Sequence, residues 1–335
     1  MAVLIISRNA YKSSMATKLP GLRLVEKLES DKVFTLIDVP SYFYMNSILG
    51  RIQVLYKYIL SIFKLISSKD KEFFFYNFTP AYLGLYLVII CLILKRPNLF
   101  LADGDNCLAM KHSPNFFLKL FKKVISLPLN ELIATKLTNN NRTIWYPGYY
   151  DGILEFKKYR VQSAKPVLLF NSTLTSHNGP ELALLFAQLN PWLDLVITSD
   201  RVDIEKYLKK RFFDKVPSIP VNVKFIGLLE YSNYIDLIKS VDGILLCRDE
   251  NIFANKYNFP SKFIEALKYD IPVLSFFPIS SVSDNIYFLI DYNDKDLINN
   301  IQSFIESKKA NYIQSRNHFL KCCDTARLLK WLSIN

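Results

Sequence analysis

The sequence predicts an α/β protein of two successive domains, each with a parallel sheet covered by helices on both faces. Three observations support this class. The chain has 335 residues, more than one hydrophobic core usually organises. Its residues are 50% hydrophobic and 21% charged, which is typical of a folded chain. Short apolar runs alternate with runs of helical periodicity, and this alternation is typical of parallel sheets.

The first half of the chain alternates strands and helices up to a cluster of Pro and Gly at 146–152, which indicates a domain boundary. We therefore predict a first doubly wound domain over 1–155. The pattern predicts strands over 3–7, 33–38, 72–76, 98–102, 132–135 and 143–145, and helices from Ser13 or Ser14 to Leu28 and over 47–66, 81–94 and 115–126.

The second half repeats the alternation, and we predict a second doubly wound domain over 156–310. We predict a closing helix within 311–335, and one interpretation is that this helix packs back on the first domain. The pattern predicts strands over 166–171, 193–198, 223–226, 243–247, 273–276 and 286–290, and helices over 179–189, 203–212, 231–240, 261–268, 296–306 and 310–331.

The apolar segment Phe73–Leu94 is long enough to span a membrane. Pro80 interrupts it near its start, however, and charged residues flank both ends. We therefore interpret it as a strand, a loop and a buried helix, with a membrane span as the alternative.

Basic residues exceed acidic ones throughout, since the net charge is 42 − 30 = +12. Residues 1–155 carry 19 − 11 = +8 and the remainder 23 − 19 = +4. This excess favours anionic lipid, a lipid diphosphate or nucleic acid as partner, or simply a basic protein. No helix-turn-helix, zinc or aromatic RNA-binding motif supports nucleic acid. The five cysteines lack metal-ligand spacing, and no secretory signal is present, so we expect a reduced, cytoplasmic protein.

Two predicted helices of the first half, Arg51–Lys71 and Asn115–Lys123, combine apolar residues with lysines. Such helices suit the surface of a membrane. The alternative is that the apolar stripe packs inward and the lysines are simply solvated. The first alternative would make this a peripheral protein on the inner face of the cytoplasmic membrane.

The segment Asn258–Leu274 carries the strongest chemical signal. Pro260 suits the first turn of a helix, and Lys262 and Glu265 share one face of that helix because they are three residues apart. Asp270-Ile271-Pro272 ends the helix before a buried strand. A carboxylate suits sugar hydroxyls, while a lysine and a helix start suit a diphosphate.

This segment resembles the donor-binding motif of GT-B glycosyltransferases, particularly the group-4-like enzymes of bacterial surface polysaccharide synthesis. The resemblance implies two Rossmann-like domains facing a cleft. It also implies that Glu265 binds the donor ribose and that Lys262, with the helix start at Ser261, binds the diphosphate. The run 225–248 resembles the segment that holds the nucleotide base, with Gly227 and Leu228 at the matching positions.

Further donor contacts come from two strand ends. Ser172 and Thr173 lie in the loop after the first strand of the second domain, where hydroxyls and amides can cradle phosphate. Many relatives carry Arg and Lys there. Arg248 follows another strand and is a candidate cation, with a surface arginine as the alternative.

The first domain supplies the candidate catalytic and acceptor residues. Asp103 and Asp105 follow the strand 98–102, and a capping turn, a general base toward the acceptor hydroxyl and a divalent metal site are the three interpretations. We take the general base as the catalytic prediction and expect no metal. Arg8 and Lys12 follow the first strand, where an acceptor phosphate would bind.

The resemblance implies transfer of a sugar from a nucleotide-diphosphate sugar to a saccharide acceptor, expected to be lipid-linked, with no other cofactor. Two departures from the family pattern weaken it. Tyr257 stands where many retaining members carry a second glutamate, and Asp270 stands where glycine is usual. The alternative is therefore a catalytically degenerate GT-B protein that serves as a scaffold in polysaccharide assembly.

Overall fold

The computed structural model contains two compact units along the chain. The first comprises Met1–Ser14, Lys18–Tyr149 and Thr325–Asn335, and the second comprises Met15–Thr17 and Tyr150–Asp324. The sequence had placed this boundary at residue 155. The structure describes residues 2–6, 34–38, 48–67, 72–76, 98–102, 130–133, 147–148, 150, 152, 154, 165–172, 174, 178–199, 201–211, 218–227, 229–248, 259–279, 282–307, 311–324 and 326–327.

The first unit contains a five-stranded parallel sheet in the order β2-β1-β3-β4-β5. Its strands are β1 (Ala2–Ile6), β2 (Phe34–Asp38), β3 (Glu72–Tyr76), β4 (Asn98–Ala102) and β5 (Asn130–Ile133). Helix α1 (Ile48–Ser67) contacts β2. No helix within the described ranges of the chain is long and apolar enough to cross a membrane.

The second unit contains a six-stranded parallel sheet in the order β11-β10-β9-β6-β7-β8. Its strands are β6 (Val167–Phe170), β7 (Asp194–Ile197), β8 (Val223–Phe225), β9 (Gly243–Leu246), β10 (Val273–Ser275) and β11 (Phe288–Leu289). Its helices are α2 (Pro180–Leu189), α3 (Arg201–Arg211), α4 (Tyr231–Ser240), α5 (Ser261–Lys268), α6 (Leu297–Ser307) and α7 (Tyr312–Cys322).

The core of the second unit lies beneath the central strands β6 and β9. Leu168 and Phe170 of β6, Leu245 of β9 and Phe186 of α2 are all fully buried there. Gly243 allows β9 to lie close to its neighbours, because a Cβ at this position would lie 2.9 Å from Leu168 Cδ2. Apolar strands with buried neighbours on both sides explain why their sequences read as continuous hydrophobic runs.

The prediction of one closing helix over 310–331 was wrong in length. Helix α7 ends at Cys322, since the carbonyl of Cys323 accepts a hydrogen bond of 3.1 Å from the Tyr150 amide and Asp324 forms a β-bridge with Tyr150. Helix α7 belongs to the second unit, where the ring of Phe319 contacts those of Phe259 and Phe263 at 5.5 and 5.4 Å. The predicted helices over 13–28, 81–94 and 115–126 and the strand over 143–145 lie outside the described residues.

Candidate functional site

The candidate site lies at the carboxyl edge of the six-stranded sheet. The chain winds from β6 through β7 to β8 on one side and from β9 through β10 to β11 on the other. The carboxyl ends of β6 and β9 therefore flank a topological switch point, where α/β sheets usually bind ligands. Asn171 directly follows β6, and Arg248 follows β9 after one residue. Helices α4 and α5 begin at the same edge, because each runs back toward the start of the next strand.

Four polar side chains meet at this edge and form the polar cluster: Asn171, Tyr234, Lys262 and Glu265. The hydroxyl of Tyr234 lies at its centre. It donates to Glu265 Oε2 at 2.8 Å and accepts from Asn171 Nδ2 at 2.5 Å and from Lys262 Nζ at 3.0 Å. Lys262 Nζ also donates to Glu265 Oε2 at 3.0 Å and lies 4.8 Å from the centre of the Tyr234 ring.

The polar cluster is buried. Asn171, Tyr234 and Glu265 are 7%, 3% and 8% exposed. Burial raises the pKa of Tyr234 well above its ordinary value, and the negative charge of Glu265 raises it further. The hydroxyl therefore stays protonated and can donate to Glu265. The ion pair of Lys262 and Glu265 is largely screened from water, which makes its geometry well defined.

Three polar positions of this cluster make no hydrogen bond within the described part of the chain. Asn171 Oδ1 is buried without a partner there. Glu265 Oε1 also has none, since both donors to this carboxylate bind Oε2. Lys262 has three N–H groups and uses two, toward Tyr234 and Glu265. The cluster thus offers two acceptors and one cationic donor.

Helix α5 holds Lys262 and Glu265 in their positions. Pro260 is its N-cap, and the one-turn separation of the two residues brings their side chains together. The helix ends in a Schellman motif, in which the Ile271 amide donates to the Ala266 carbonyl at 2.9 Å and the Asp270 amide to the Leu267 carbonyl at 3.2 Å. Asp270 has a φ of 60°, a left-handed conformation that glycine adopts most readily.

Asp270 replaces the usual glycine with the help of a side-chain partner. Its carboxylate pairs with the guanidinium of Arg316, a residue of α7 that is 2% exposed. Aspartate also tolerates the left-handed conformation better than most residues. The packing of α7 against α5 therefore accommodates an aspartate at this left-handed position.

Gly179 brings the start of α2 against the end of β9. Its φ is 60°, and a Cβ at this position would lie 1.9 Å from the carbonyl oxygen of Cys247. Only glycine permits this approach. Gly179 is therefore held close to the switch point.

Some of the other predicted site residues lie within the described residues and some lie outside them. Ser261 is the first residue of α5, Ser172 directly follows Asn171, Arg248 is half-buried just after β9, and Gly227 has a φ of 78° after β8. Leu228, Thr173, Asp103, Asp105, Arg8 and Lys12 lie outside the described residues, as does Tyr257. No group of three or more metal-ligating side chains occurs among the residues that the structure describes.

Sequence reasoning missed Asn171 and Tyr234. Asn171 was read as the last residue of a strand, although a polar residue directly after a buried strand at a switch point is a signal in itself. Tyr234 was read only as part of a helix. Its position three residues into α4 identifies it only when the packing of α4 beside α5 is known.

Comparisons with known proteins identify the fold. No family model and no curated protein sequence matches the chain. Among solved structures, Anabaena HepE in complex with UDP is 15% identical, with 100% of each chain covered and a TM-score of 0.65. Sucrose-phosphate synthase from Thermosynechococcus elongatus is 10% identical, with 99% of this chain and 98% of that chain covered and a TM-score of 0.65.

A third similar structure is AviGT4, a glycosyltransferase of avilamycin A biosynthesis, at 11% identity and a TM-score of 0.56, with 99% of this chain and 97% of that chain covered. The match extends over nearly the whole chain in each case. Together with the two parallel sheets, it confirms the predicted α/β class and the GT-B fold.

Proposed function

We propose that this GT-B chain is a glycosyltransferase that moves a sugar from a nucleotide-diphosphate sugar to a saccharide acceptor. The observation that carries the proposal is the polar cluster at the switch point of the second unit. Its open acceptors on Asn171 and Glu265 suit ligand hydroxyls, and the remaining N–H of Lys262 suits an anion. A nucleotide sugar carries both hydroxyls and an anionic diphosphate.

The roles of individual residues follow from this chemistry. Glu265 Oε1 would accept a hydrogen bond from a ribose hydroxyl, and Tyr234 and Lys262 would orient the carboxylate through Oε2. The acceptor hydroxyl attacks the anomeric carbon, and the bond from that carbon to the diphosphate breaks. Lys262, Ser261 at the start of α5, and Arg248 would stabilise the departing charge. Gly227, Leu228, Ser172 and Thr173 complete the proposed donor site.

The proposed roles of the acceptor-side residues are inferred from the sequence alone. Asp103 or Asp105 would take the proton from the acceptor hydroxyl, and Arg8 and Lys12 would bind an acceptor phosphate. Because cationic side chains and helix amides are proposed to stabilise the leaving group, we expect transfer to continue in EDTA. A strict requirement for a divalent ion would contradict this assignment and favour a metal role for the two aspartates.

The finer proposal is that the acceptor is lipid-linked and that the reaction builds a bacterial surface polysaccharide from the cytoplasmic side. It is supported by the basic charge of residues 1–155 and by the resemblance of the segment Asn258–Leu274. HepE, which has the same fold, was crystallised with UDP-glucose, so a uridine nucleotide is the first donor to test.

The test is thermal stability of the full chain against a panel of nucleotides and nucleotide sugars. We expect one nucleotide diphosphate to raise the melting temperature, because a ligand that binds only the folded state stabilises it. Glu265→Ala should lower the affinity for that nucleotide by about tenfold or more, a loss of about 1.4 kcal/mol of binding free energy. Glu306→Ala, at an exposed position of α6, is the matched control.

A folded protein that responds to no nucleotide would overturn the proposed donor site. Binding without release of nucleotide diphosphate in the presence of lipid-linked acceptors would favour the degenerate scaffold instead. The two outcomes are distinct, since binding and turnover are measured separately.

A further inference from the structure

One helix of the first unit exposes a continuous apolar face. The apolar stripe consists of seven side chains of α1 that are 41–69% exposed: Leu49, Ile52, Tyr56, Ile59, Leu60, Phe63 and Ile66. At 3.6 residues per turn these positions fall within an arc of about 120° and extend for about 25 Å along the helix. The stripe is therefore one surface rather than a scatter of single residues.

The sequence left two orientations open for this helix, with its apolar residues either at a membrane surface or packed inward. The structure shows that Ile59, Phe63 and Ile66, which form part of the predicted helical periodicity, are exposed. An exposed apolar face of this length usually marks a surface that contacts another molecule or a membrane.

The charges of α1 indicate which kind of partner contacts the apolar stripe. The sequence of the helix contains Arg51, Lys57 and Lys64 and no Asp or Glu. Lys64 is exposed, and by helical spacing it flanks the apolar stripe on one side. A second copy of the chain would place this basic helix against itself in a two-fold interface, and like charges would repel there. An apolar face with a basic border instead suits anionic lipid.

We propose that α1 is a membrane-docking helix, which lies in the plane of an anionic bilayer with the apolar stripe inserted among the acyl chains and Lys64 near the headgroups. The surplus of +8 over residues 1–155, from 19 − 11, adds long-range attraction to the same surface. The inference does not depend on the proposed glycosyltransfer, since it concerns a surface of the first unit and no residue of the polar cluster.

The test is flotation of the full chain with vesicles of phosphatidylcholine mixed with phosphatidylglycerol, compared with pure phosphatidylcholine vesicles. We expect binding to the anionic vesicles at an ionic strength of about 0.15 M and weaker binding at high salt, because salt screens the basic residues. The double variant Ile52→Ser with Phe63→Ser should lower the partition coefficient by about tenfold or more. Lys64→Gln should lower it less.

Ile313→Ser is the matched control, because Ile313 on α7 is 66% exposed and Phe63 is 65% exposed. We expect this variant to bind vesicles as the unchanged chain does. The melting temperature and the nucleotide-induced shift should be the same in all the variants, which separates docking from folding and from donor binding.

Three results would overturn the proposal. The first is absence of binding to anionic vesicles by the unchanged chain. The second is an equal loss of binding in the stripe variant and in Ile313→Ser. The third is a concentration-dependent dimer, measured by light scattering, that the stripe variant abolishes while no vesicle binding occurs. That last result would assign the apolar stripe to a second copy of the chain.

Discussion

The hydroxyl of Tyr234 organises the candidate site at the scale of single residues. It is the one atom that contacts all three other members of the polar cluster. Through it, Asn171 on the end of β6 is connected to Glu265 on α5. A buried carboxylate with two donors on one oxygen has a fixed orientation, so its second oxygen is presented to a ligand in a defined direction.

Tyr234→Phe tests this positioning role. The variant removes one donor to Glu265 and leaves Asn171 Nδ2 without its acceptor, which should cost about 1–3 kcal/mol of stability. We expect the Kd of the bound nucleotide to rise by several-fold while Glu265 remains in place. Calorimetric titration measures the Kd, and Tyr292→Phe, at a tyrosine outside the polar cluster, is the control. An unchanged Kd in a destabilised Tyr234→Phe protein would assign the hydroxyl a purely structural role.

At the scale of elements, the end of α5 depends on its contact with α7. The Schellman motif requires a left-handed residue at position 270, and the chain supplies aspartate rather than glycine. Arg316 of α7 pairs with that aspartate from a buried position. The rings of Phe319 on α7 and Phe263 on α5, with centres 5.4 Å apart, pack the same two elements together. Helix α5, which carries Lys262 and Glu265, is therefore supported by α7 of the same unit.

Substitutions at Asp270 separate the backbone conformation from the ion pair. Asp270→Gly relieves the left-handed conformation but removes a partner of a buried guanidinium, so we expect a net loss of about 2 kcal/mol. Asp270→Ala should lose about 1 kcal/mol more of stability, because alanine neither adopts the left-handed conformation readily nor pairs with Arg316. Chemical denaturation measures both. If Asp270→Gly is as stable as the unchanged chain, the pair with Arg316 contributes only about as much as the relief of the left-handed conformation, about 1 kcal/mol.

At the scale of the whole molecule, the buried phenols of Tyr234 and Tyr312 make the stability of the protein fall at alkaline pH. Burial raises the pKa of Tyr312, and the nearby charge of Asp270 raises it further. Burial likewise raises the pKa of Tyr234, which is 3% exposed. A raised folded pKa means that the stabilisation is fully present below the ordinary tyrosine pKa of about 10 and is lost as the pH rises above it.

We therefore expect the melting temperature to fall as the pH rises from about 10 to about 12. Each buried tyrosine contributes up to about 1.4 kcal/mol of this loss per pH unit above its ordinary pKa. Tyr312→Phe removes one ionisable group, so its melting temperature should fall less over the same interval. Calorimetry of the two proteins at matched pH checks this. Equal declines in both would show that Tyr312 does not contribute.

Much of the architecture follows from sequence pattern alone. Strands β3 and β4 and helices α4 and α5 have the predicted bounds, because apolar runs and helical periodicity are local signals. The spacing of Lys262 and Glu265 predicted that they share a helix face, and their ion pair confirms it. The end of α7 was not predictable, since a β-bridge to Tyr150, far away in sequence, determines it.

The sequence by itself determined the two-domain α/β class, the parallel order of elements and the helix that carries Lys262 and Glu265. These depend on residue spacing within short segments. Only the tertiary structure decided that Asn171 and Tyr234 join that helix, that Arg316 stabilises the left-handed Asp270, and that the apolar stripe of α1 faces outward. Each of these depends on which elements pack side by side, and periodicity along the chain gives a helix an apolar face without fixing what that face meets.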